Sequence, residues 1–243
     1  MSNNEILVSG IPVKVHASMD DAVKSVFSST GDEIVSGVAI AINPEKVMKA
    51  RNDRKVMEAL LSATFLFADG IGVVWALRSK GAKQAARIPG CELWVALMKE
   101  AGRLKQPVFL VGAKQDVLNQ VHEKLVAEFG VNVVGKQNGF FSDLQQDDLI
   151  QCIRASGAKL VTVAMGSPKQ ELFINRCRQS CPDAFYMGVG GTYDVFSGNV
   201  NRASAWVCKL NLEWLHRLLS NPSRLWRQVV LAKYLWLLLT KKI

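Results

Sequence analysis

Asp69 occupies a position in the sequence that could support acid–base chemistry. It stands in the segment FADGIG, where an apolar run ends in an Asp-Gly pair. Such pairs are common in turns, so a turn with no chemical role is one interpretation. The other is a carboxylate at the end of a buried strand, partly desolvated by Phe65, Phe67 and Ile71, that serves as a general base. The segment alone leaves both interpretations open.

The segment MGSPKQE, residues 165–171, follows the apolar run LVTVA and offers polar side chains where a strand ends. Ser167 is suited to cap a helix, Pro168 to occupy its first position, and Gln170 to complete a capping box. A helix N-terminus that faces the carboxyl end of a parallel strand is also a common ligand site. The segment alone leaves two interpretations open: a simple helix start, or one whose first turn presents Lys169 and Gln170 to a ligand.

The segment YMGVGGTYD places Gly188, Gly190, Gly191 and Asp194 after another apolar run. Glycines there allow backbone N–H groups to approach a phosphate, although the spacing G-x-G-G differs from the dinucleotide fingerprint G-x-G-x-x-G. A simple turn and a phosphate-binding loop explain the pattern equally well.

Arg87 and Asn43 each have a structural and a functional interpretation. Arg87, in ARIPG, is either a solvated charge or a clamp for a diphosphate, since guanidinium groups pair with phosphate oxygens. Asn43, in INPEKV, either caps the helix that follows or donates a hydrogen bond to a ligand.

The elements that would position these residues alternate between short apolar runs and helical patterns. Strands separated by helices imply βαβ units, so we predict a Rossmann-like α/β fold whose parallel sheet carries helices on both faces. Five of the polar candidates would then lie around one crevice at the carboxyl edge of the sheet, namely Asn43, Asp69, Arg87, Gln170 and Asp194. The predicted strands are 36–43, 65–70, 106–113, 131–139, 158–166 and 184–191, and the predicted helices are 44–63, 71–81, 90–104, 114–130, 143–157 and 167–181.

Residues 201–243 differ from residues 1–200, which we predict to form the α/β core. From Arg202 onwards the chain has eight basic residues and one acid, which accounts for +7 of its net charge of +9. Aromatic side chains such as Trp226 and Trp236 alternate with these cations, as in helices that lie in a membrane interface. We therefore predict a basic amphipathic helical appendage that contacts an anionic membrane. A helix packed on the core with a solvated basic face is the alternative.

Other features limit the classes of protein and partner. The apolar run 229–239 is too short for a spanning helix, which needs roughly 20 apolar residues. The first residues lack the pattern of a signal peptide, so we expect a cytoplasmic protein. Cys177 and Cys181 have no His or further Cys nearby in sequence, and we expect no metal and no cofactor. The aromatics lie in apolar helices, which argues against nucleic-acid binding.

Taken together, these segments resemble the WecG/TagA/CpsF glycosyltransferase family. The agreement extends nearly from end to end of the chain and is most specific in its combination of motifs. They are AINPEKV, ADGIGVV, RIPGCELW, PVFLVGA, VTVAMGSPKQE, YMGVGGTYDVFSGNVNRA and LEWLHRLLSNPSRLWRQ.

The resemblance implies an inverting, metal-independent transfer. The sugar expected to move is N-acetyl-D-mannosaminuronic acid (ManNAcA), from UDP-ManNAcA to a GlcNAc on undecaprenyl diphosphate. By matched position, Asp69 is the general base, Arg87 and Gln170 belong to the catalytic pocket, and the family's active-site asparagine is Asn43. The loop with Gly190, Gly191 and Asp194 would receive the nucleotide. The family also has a C-terminal appendage that meets the membrane, which implies a peripheral enzyme on the inner face of the inner membrane. Its arginines, which face the diphosphate of the lipid acceptor, match Arg217, Arg224 and Arg227.

The sequence departs from the family pattern at Ala41, where some teichoic-acid relatives have an active-site threonine. The donor therefore stays open between UDP-ManNAcA and the N-acetylmannosamine (ManNAc) donor of teichoic-acid relatives. A non-catalytic protein that binds anionic membranes is the alternative from another class. The oligomeric state is also open, a homo-oligomer included.

Overall fold

Parallel strands with long apolar runs form the centre of the protein. The computed structural model describes residues 4–200 and 226–243, and within them eight strands form one sheet in the order β1-β2-β4-β3-β8-β7-β5-β6. All neighbouring strands are parallel except β1 and β2. The strands are β1 Glu5–Val8, β2 Ile11–Lys14, β3 Gly37–Ile42, β4 Phe65–Ala68, β5 Pro107–Gly112, β6 Asn132–Gln137, β7 Leu160–Ala164 and β8 Phe185–Gly188.

Helices connect these strands, and the mixed α/β prediction is confirmed. The helices in the described residues are α1 Met19–Lys24, α2 Pro44–Asn52, α3 Arg54–Leu61, α4 Ile71–Ser79, α5 Gly90–Arg103, α6 Gln115–Phe129, α7 Gln145–Ala155, α8 Lys169–Ser180, α9 Thr192–Ser197 and α10 Trp226–Leu239.

Alternate residues of the strands contribute to two separate apolar clusters. In β4, Leu66 and Ala68 belong to one cluster, while Phe65 and Phe67 belong to the other. Successive side chains of a strand point to opposite faces, so each cluster lies on one face of the sheet. Burial on both faces explains why β4 is an uninterrupted apolar run and why β7 contains a single polar residue, Thr162, which is hydrogen-bonded to the Tyr193 hydroxyl.

The helix predicted over 44–63 is divided into α2 and α3 at Asp53. The Asp53 backbone is extended, and its Oδ1 accepts hydrogen bonds from the N–H groups of Lys55 and Val56 at 2.9 and 3.3 Å. The carboxylate thereby caps α3, because it satisfies N–H groups that have no partner inside the helix. The apolar periodicity continues across this cap, so the pattern did not indicate the break.

The sequence analysis also missed the hairpin of β1 and β2. Its turn residues Ser9 and Gly10 have φ angles of 51° and 83°, and positive φ at both positions is typical of a type I′ hairpin turn. β1 is mostly exposed, so its apolar pattern is weak.

The last helix, α10, packs on the core. Tyr234 and Leu237 are buried, and the Tyr234 hydroxyl donates to the carbonyl oxygen of Gly72 in α4 at 3.1 Å. On its other side, Trp236 and Leu239 remain 54% and 76% exposed. The described part of the predicted appendage therefore has both a packed face and an exposed apolar face. Within the described residues, we find no helix with the length and apolar character needed to cross a membrane.

Candidate active site

Four adjacent strands end beside the polar residues that the sequence analysis selected. In the order β4-β3-β8-β7, these strands are followed by Asp69, Asn43, the Gly190 loop and Gln170. Because the strands are parallel to one another, their carboxyl ends lie at the same edge of the sheet. The candidates therefore occupy one edge, as the sequence predicted for open α/β sheets.

Asp69 lies between the end of β4 and the N-terminus of α5. It is partly buried, and its Oδ1 accepts a hydrogen bond from the N–H of Gly90, the first residue of α5, at 2.8 Å. A helix N-terminus stabilises a negative charge through its N–H groups and dipole. Asp69 directly follows β4, and Gly70 stands with an extended backbone at the N-cap of α4, so the expected Asp-Gly turn does not form there. The carboxylate is therefore held at an anion-stabilising position.

Arg87 is in direct contact with the Asp69 main chain. Its Nε donates to the Asp69 carbonyl oxygen at 2.7 Å, and the N–H of Ile88 donates to the carbonyl of Ala68 at 2.8 Å. The segment before α5 thus continues along the end of β4 and brings a partly buried guanidinium to the main chain of the candidate base. A guanidinium in this position could bind a phosphate oxygen as well as the carbonyl.

Asn43 caps α2 and lies close to Gly70, the residue after Asp69. Its Oδ1 accepts from the N–H of Lys46 at 2.9 Å, so the structural interpretation of this residue is confirmed. A Cβ added to Gly70 would lie 2.8 Å from Cδ of Pro44 and 3.2 Å from Cβ of Asn43. The glycine after Asp69 therefore permits the ends of β3 and β4 to approach closely.

Ala41 and the Asp69 carboxylate both approach Gly90. A Cβ added to Gly90 would be 3.6 Å from Cβ of Ala41 and 3.9 Å from Oδ1 of Asp69. Ala41, at which the sequence departs from the pattern it resembles, thus shares a neighbour with the candidate base.

Gln170 is held differently from the way the sequence predicted. The helix α8 begins at Lys169 and has no side-chain cap, so the capping box with Ser167 and the placement of Pro168 inside the helix are wrong. The Gln170 side chain extends towards β8 instead, where its Oε1 accepts from the N–H of Gly190 at 3.0 Å. In a capping box the Gln170 side chain would have turned back to the start of its own helix, and the Gly190 N–H would have lacked this partner.

The carboxamide of Gln170 is buried against β8. The residue is 4% exposed, and its Nε2 donates to Oε1 of Glu171 at 3.3 Å. A Cβ added to Gly188 would lie 2.6 Å from Gln170 Nε2. Gly188 therefore provides the space that the carboxamide occupies.

A buried ion pair that the sequence analysis missed lies beside Gln170. Lys46 Nζ is 2.9 Å from Glu171 Oε1, and the side chains are 13% and 5% exposed. Burial acts to raise the pKa of Glu171, but the charge and hydrogen bond of Lys46 outweigh burial and keep that pKa below its ordinary value. Glu171 was visible in the motif, yet its partner is 125 residues away in sequence, so no local pattern indicated the pair.

The other predicted binding residues also lie near this edge of the sheet. Lys169 is exposed at the start of α8, and Asp194 is partly buried in the first turn of α9. Gly190 has a φ of 54°, a left-handed conformation that glycine adopts without strain. Beside α9, a groove of about 530 Å³ runs along α5 and is lined in part by Lys99, Lys124 and Phe196.

Two of the arginines predicted to bind the acceptor diphosphate, Arg217 and Arg224, lie outside the described residues, and the third, Arg227, is described only as a backbone position of α10. Within residues 4–200 and 226–243, no group of three or more His, Cys, Asp or Glu residues could hold a metal ion.

The sequence that forms this carboxyl edge matches a known protein family. The model of the glycosyl transferase family WecG/TagA/CpsF matches residues 6–243 of the chain. The match includes β3, β4, β7 and β8 together with the loops that carry the candidate residues. The chain therefore belongs to the WecG/TagA/CpsF family of glycosyltransferases.

Proposed function

We propose that this glycosyltransferase inverts the anomeric centre of a sugar, with Asp69 as the general base. Family membership implies a nucleotide-sugar donor and a lipid-linked acceptor. The observation that carries the proposal is the anchoring of the Asp69 carboxylate by the Gly90 N–H, with Arg87 bound to the same residue. A fixed carboxylate next to a guanidinium can accept a proton while the cation faces a leaving phosphate.

In this mechanism the acceptor hydroxyl attacks the anomeric carbon from the side opposite the diphosphate. A bond forms between the hydroxyl oxygen and the anomeric carbon, the bond from that carbon to the diphosphate oxygen breaks, and the proton passes to Asp69. Arg87 and loop N–H groups stabilise the charge that develops on the UDP leaving group. Gln170 and Asn43 orient the sugar, and the loop with Gly190, Gly191 and Asp194 receives the nucleotide.

The donor we propose is UDP-ManNAcA, and the acceptor is GlcNAc-diphosphoryl-undecaprenol. This reaction would convert lipid I to lipid II of enterobacterial common antigen. Support comes from the family match over residues 6–243 and from Ala41, which shares Gly90 as a neighbour with Asp69. By the resemblance described above, some relatives with a ManNAc donor have threonine at this position. An alanine leaves space that a larger donor substituent such as a carboxylate could occupy.

We also propose that the C-terminal residues bring the enzyme to the inner face of the inner membrane. Basic residues are concentrated after Arg202, and Trp236 and Leu239 of α10 are exposed. Cationic and apolar groups together favour binding to an anionic lipid surface. Arg217, Arg224 and Arg227 would then bind the diphosphate of the acceptor.

A transfer assay with GlcNAc-diphosphoryl-polyprenol tests both the reaction and the donor. UDP-ManNAcA and UDP-ManNAc are compared at equal concentration, and the anomeric configuration of the product is determined by NMR. We expect transfer from UDP-ManNAcA with inversion. Faster transfer from UDP-ManNAc would assign the teichoic-acid type of donor, and membrane binding without transfer from either donor would favour a non-catalytic protein.

A further inference from the structure

The ion pair of Lys46 and Glu171 connects two helix N-termini at the candidate site. Lys46 is the third residue of α2, after β3, and Glu171 is the third residue of α8, after β7. The strand β8 lies between β3 and β7 in the sheet. Both helices contribute to the same apolar cluster, so the pair joins them on one face of the sheet, across β8.

Helix stability alone does not explain this pair. The dipole at a helix N-terminus favours Glu171 but disfavours the ammonium group of Lys46. Glu171 Oε2 is buried and has no hydrogen-bond partner among the described residues. Replacing a buried ion pair by apolar side chains is often neutral or stabilising, so the net gain in folding free energy is a weak explanation for it.

Both members of the pair are hydrogen-bonded to candidate site residues, Glu171 through its side chain at 3.3 Å and Lys46 through its backbone N–H at 2.9 Å. Glu171 Oε1 accepts from Gln170 Nε2, which directs Gln170 Oε1 towards the Gly190 N–H. A flipped carboxamide would set its NH₂ group against that N–H and would lose both bonds. At the other end, the backbone N–H of Lys46 donates to Asn43 Oδ1.

We propose that Lys46 and Glu171 are positioning residues for the transfer reaction. Their ion pair fixes the orientation of the Gln170 carboxamide and ties α8 to the helix that Asn43 caps. The inference rests on the proposed function, in which Gln170 orients the reacting sugar. Lys46 and Glu171 act through Gln170 and Asn43 and do not contact the substrate.

The test replaces the pair by apolar residues of similar volume in the double variant Lys46→Met/Glu171→Leu. A matched control is Arg54→Met/Glu58→Leu in α3, where Arg54 Nε and Glu58 Oε1 are 2.7 Å apart but the side chains are 92% and 59% exposed. For each protein we would measure thermal unfolding, kcat and KM for the donor, and hydrogen exchange of the Gly190 amide without substrate.

We expect the double variant to fold and to lower kcat by about 10²-fold, the size of effect caused by small misplacements of groups in an active site, with little change in KM. Exchange of the Gly190 amide should be about fivefold faster, which corresponds to one lost hydrogen bond. The exposed control pair should leave both quantities at their original values. Glu171→Gln keeps a side-chain oxygen for Gln170, so its kcat should lie between those of the original protein and the double variant.

Original values of both kcat and Gly190 exchange in the folded double variant would overturn the proposal. If the double variant does not fold, original values of both quantities in Glu171→Gln would overturn it. The exchange measurement needs no substrate. A chain that transfers no sugar but shows faster Gly190 exchange in the variants would refute the proposed function and leave the positioning effect established.

Discussion

The two sides of the carboxyl edge bury their polar residues to different degrees. On the β4 side, Asp69 is only partly buried; the Gly90 N–H binds its carboxylate and Arg87 binds its carbonyl. On the β7 side, Gln170 is 4% exposed; the Gly190 N–H binds its carboxamide oxygen, and its NH₂ group is linked to the buried pair of Glu171 and Lys46.

This difference separates two chemical tasks. A general base must meet the acceptor hydroxyl and exchange protons, so a carboxylate with some exposure is suited to that role. An orienting carboxamide must keep one rotamer and one orientation of its amide, which burial and fixed partners provide. The β4 side is therefore suited to react and the β7 side to orient.

The largest effect should follow from Asp69→Asn. The amide keeps the shape of the side chain but cannot take the proton, so we expect kcat to fall by about 10²–10⁴. Donor binding, measured by calorimetry, should change little. Asp183→Asn, at an exposed position, serves as the control. Turnover near the original rate in Asp69→Asn would show that Asp69 is not the general base, and the two sides would then not divide the chemical tasks in this way.

Gly188→Ala tests whether the β7 side acts through the orientation of Gln170. The new Cβ would lie 2.6 Å from Gln170 Nε2 and would force the carboxamide to move, so we expect kcat to fall by about 10²-fold. Residues in contact give non-additive effects, and Gly188→Ala should therefore cost little more in the background of Gln170→Ala. Additive losses of kcat in the double variant would show that Gly188 acts independently of Gln170.

The pH dependence of stability should distinguish the β7 side. The folded-state pKa of Glu171 is below its ordinary value of 4.5 because Lys46 outweighs the effect of burial. The stabilisation is therefore present above pH 4.5 and is lost as the pH falls through the lowered pKa. Urea unfolding from pH 7 to pH 3 should show a steeper loss of stability in the original protein than in Lys46→Met/Glu171→Leu. If the free energy of unfolding fell equally steeply with pH in both proteins, the lowered pKa of Glu171 would not be the cause of the pH dependence.

The smallest effect concerns a support behind the β4 side. The Tyr234 hydroxyl donates a hydrogen bond to the carbonyl of Gly72 in α4, the helix that begins two residues after Asp69. Tyr234→Phe removes this buried bond, and we expect a loss of about 0.5–1.5 kcal/mol in the free energy of unfolding. Trp236→Phe, at an exposed position of the same helix, should change it by less. If kcat of Tyr234→Phe fell as far as in Asp69→Asn, the contacts with Gly90 and Arg87 would not be enough to hold Asp69 in its active position.

Most of the core could be predicted because buried parallel strands are continuous apolar runs. The observed β3, β5 and β7 lie inside the predicted strands, and Gly130 ends α6 in a left-handed conformation near the predicted end of that helix. The hairpin of β1 and β2 was missed because an exposed strand has weak apolar alternation. The division at Asp53 was missed because a side-chain cap prevailed over an uninterrupted helical pattern.

The candidate site was only partly predictable from sequence. Strand ends indicated Asn43, Asp69 and Gln170, because ligands of open parallel sheets bind at the carboxyl edge. Their proposed roles in transfer remain predictions. Lys46 and Glu171 had no local signal as a pair, and Gln170 was expected to take part in a capping box that the structure does not contain.

Local patterns in the chain were enough to specify an alternating α/β core, the positions of its polar strand ends and a basic C-terminal region. Each of these follows from interactions between residues close in sequence, such as apolar periodicity, caps and turns. The order of the strands, the bond between Arg87 and the Asp69 carbonyl, and the pairing of Lys46 with Glu171 were decided only by tertiary structure. Burial removed water as a competing partner at these contacts, and the identity of each partner therefore depended on which distant segments packed together.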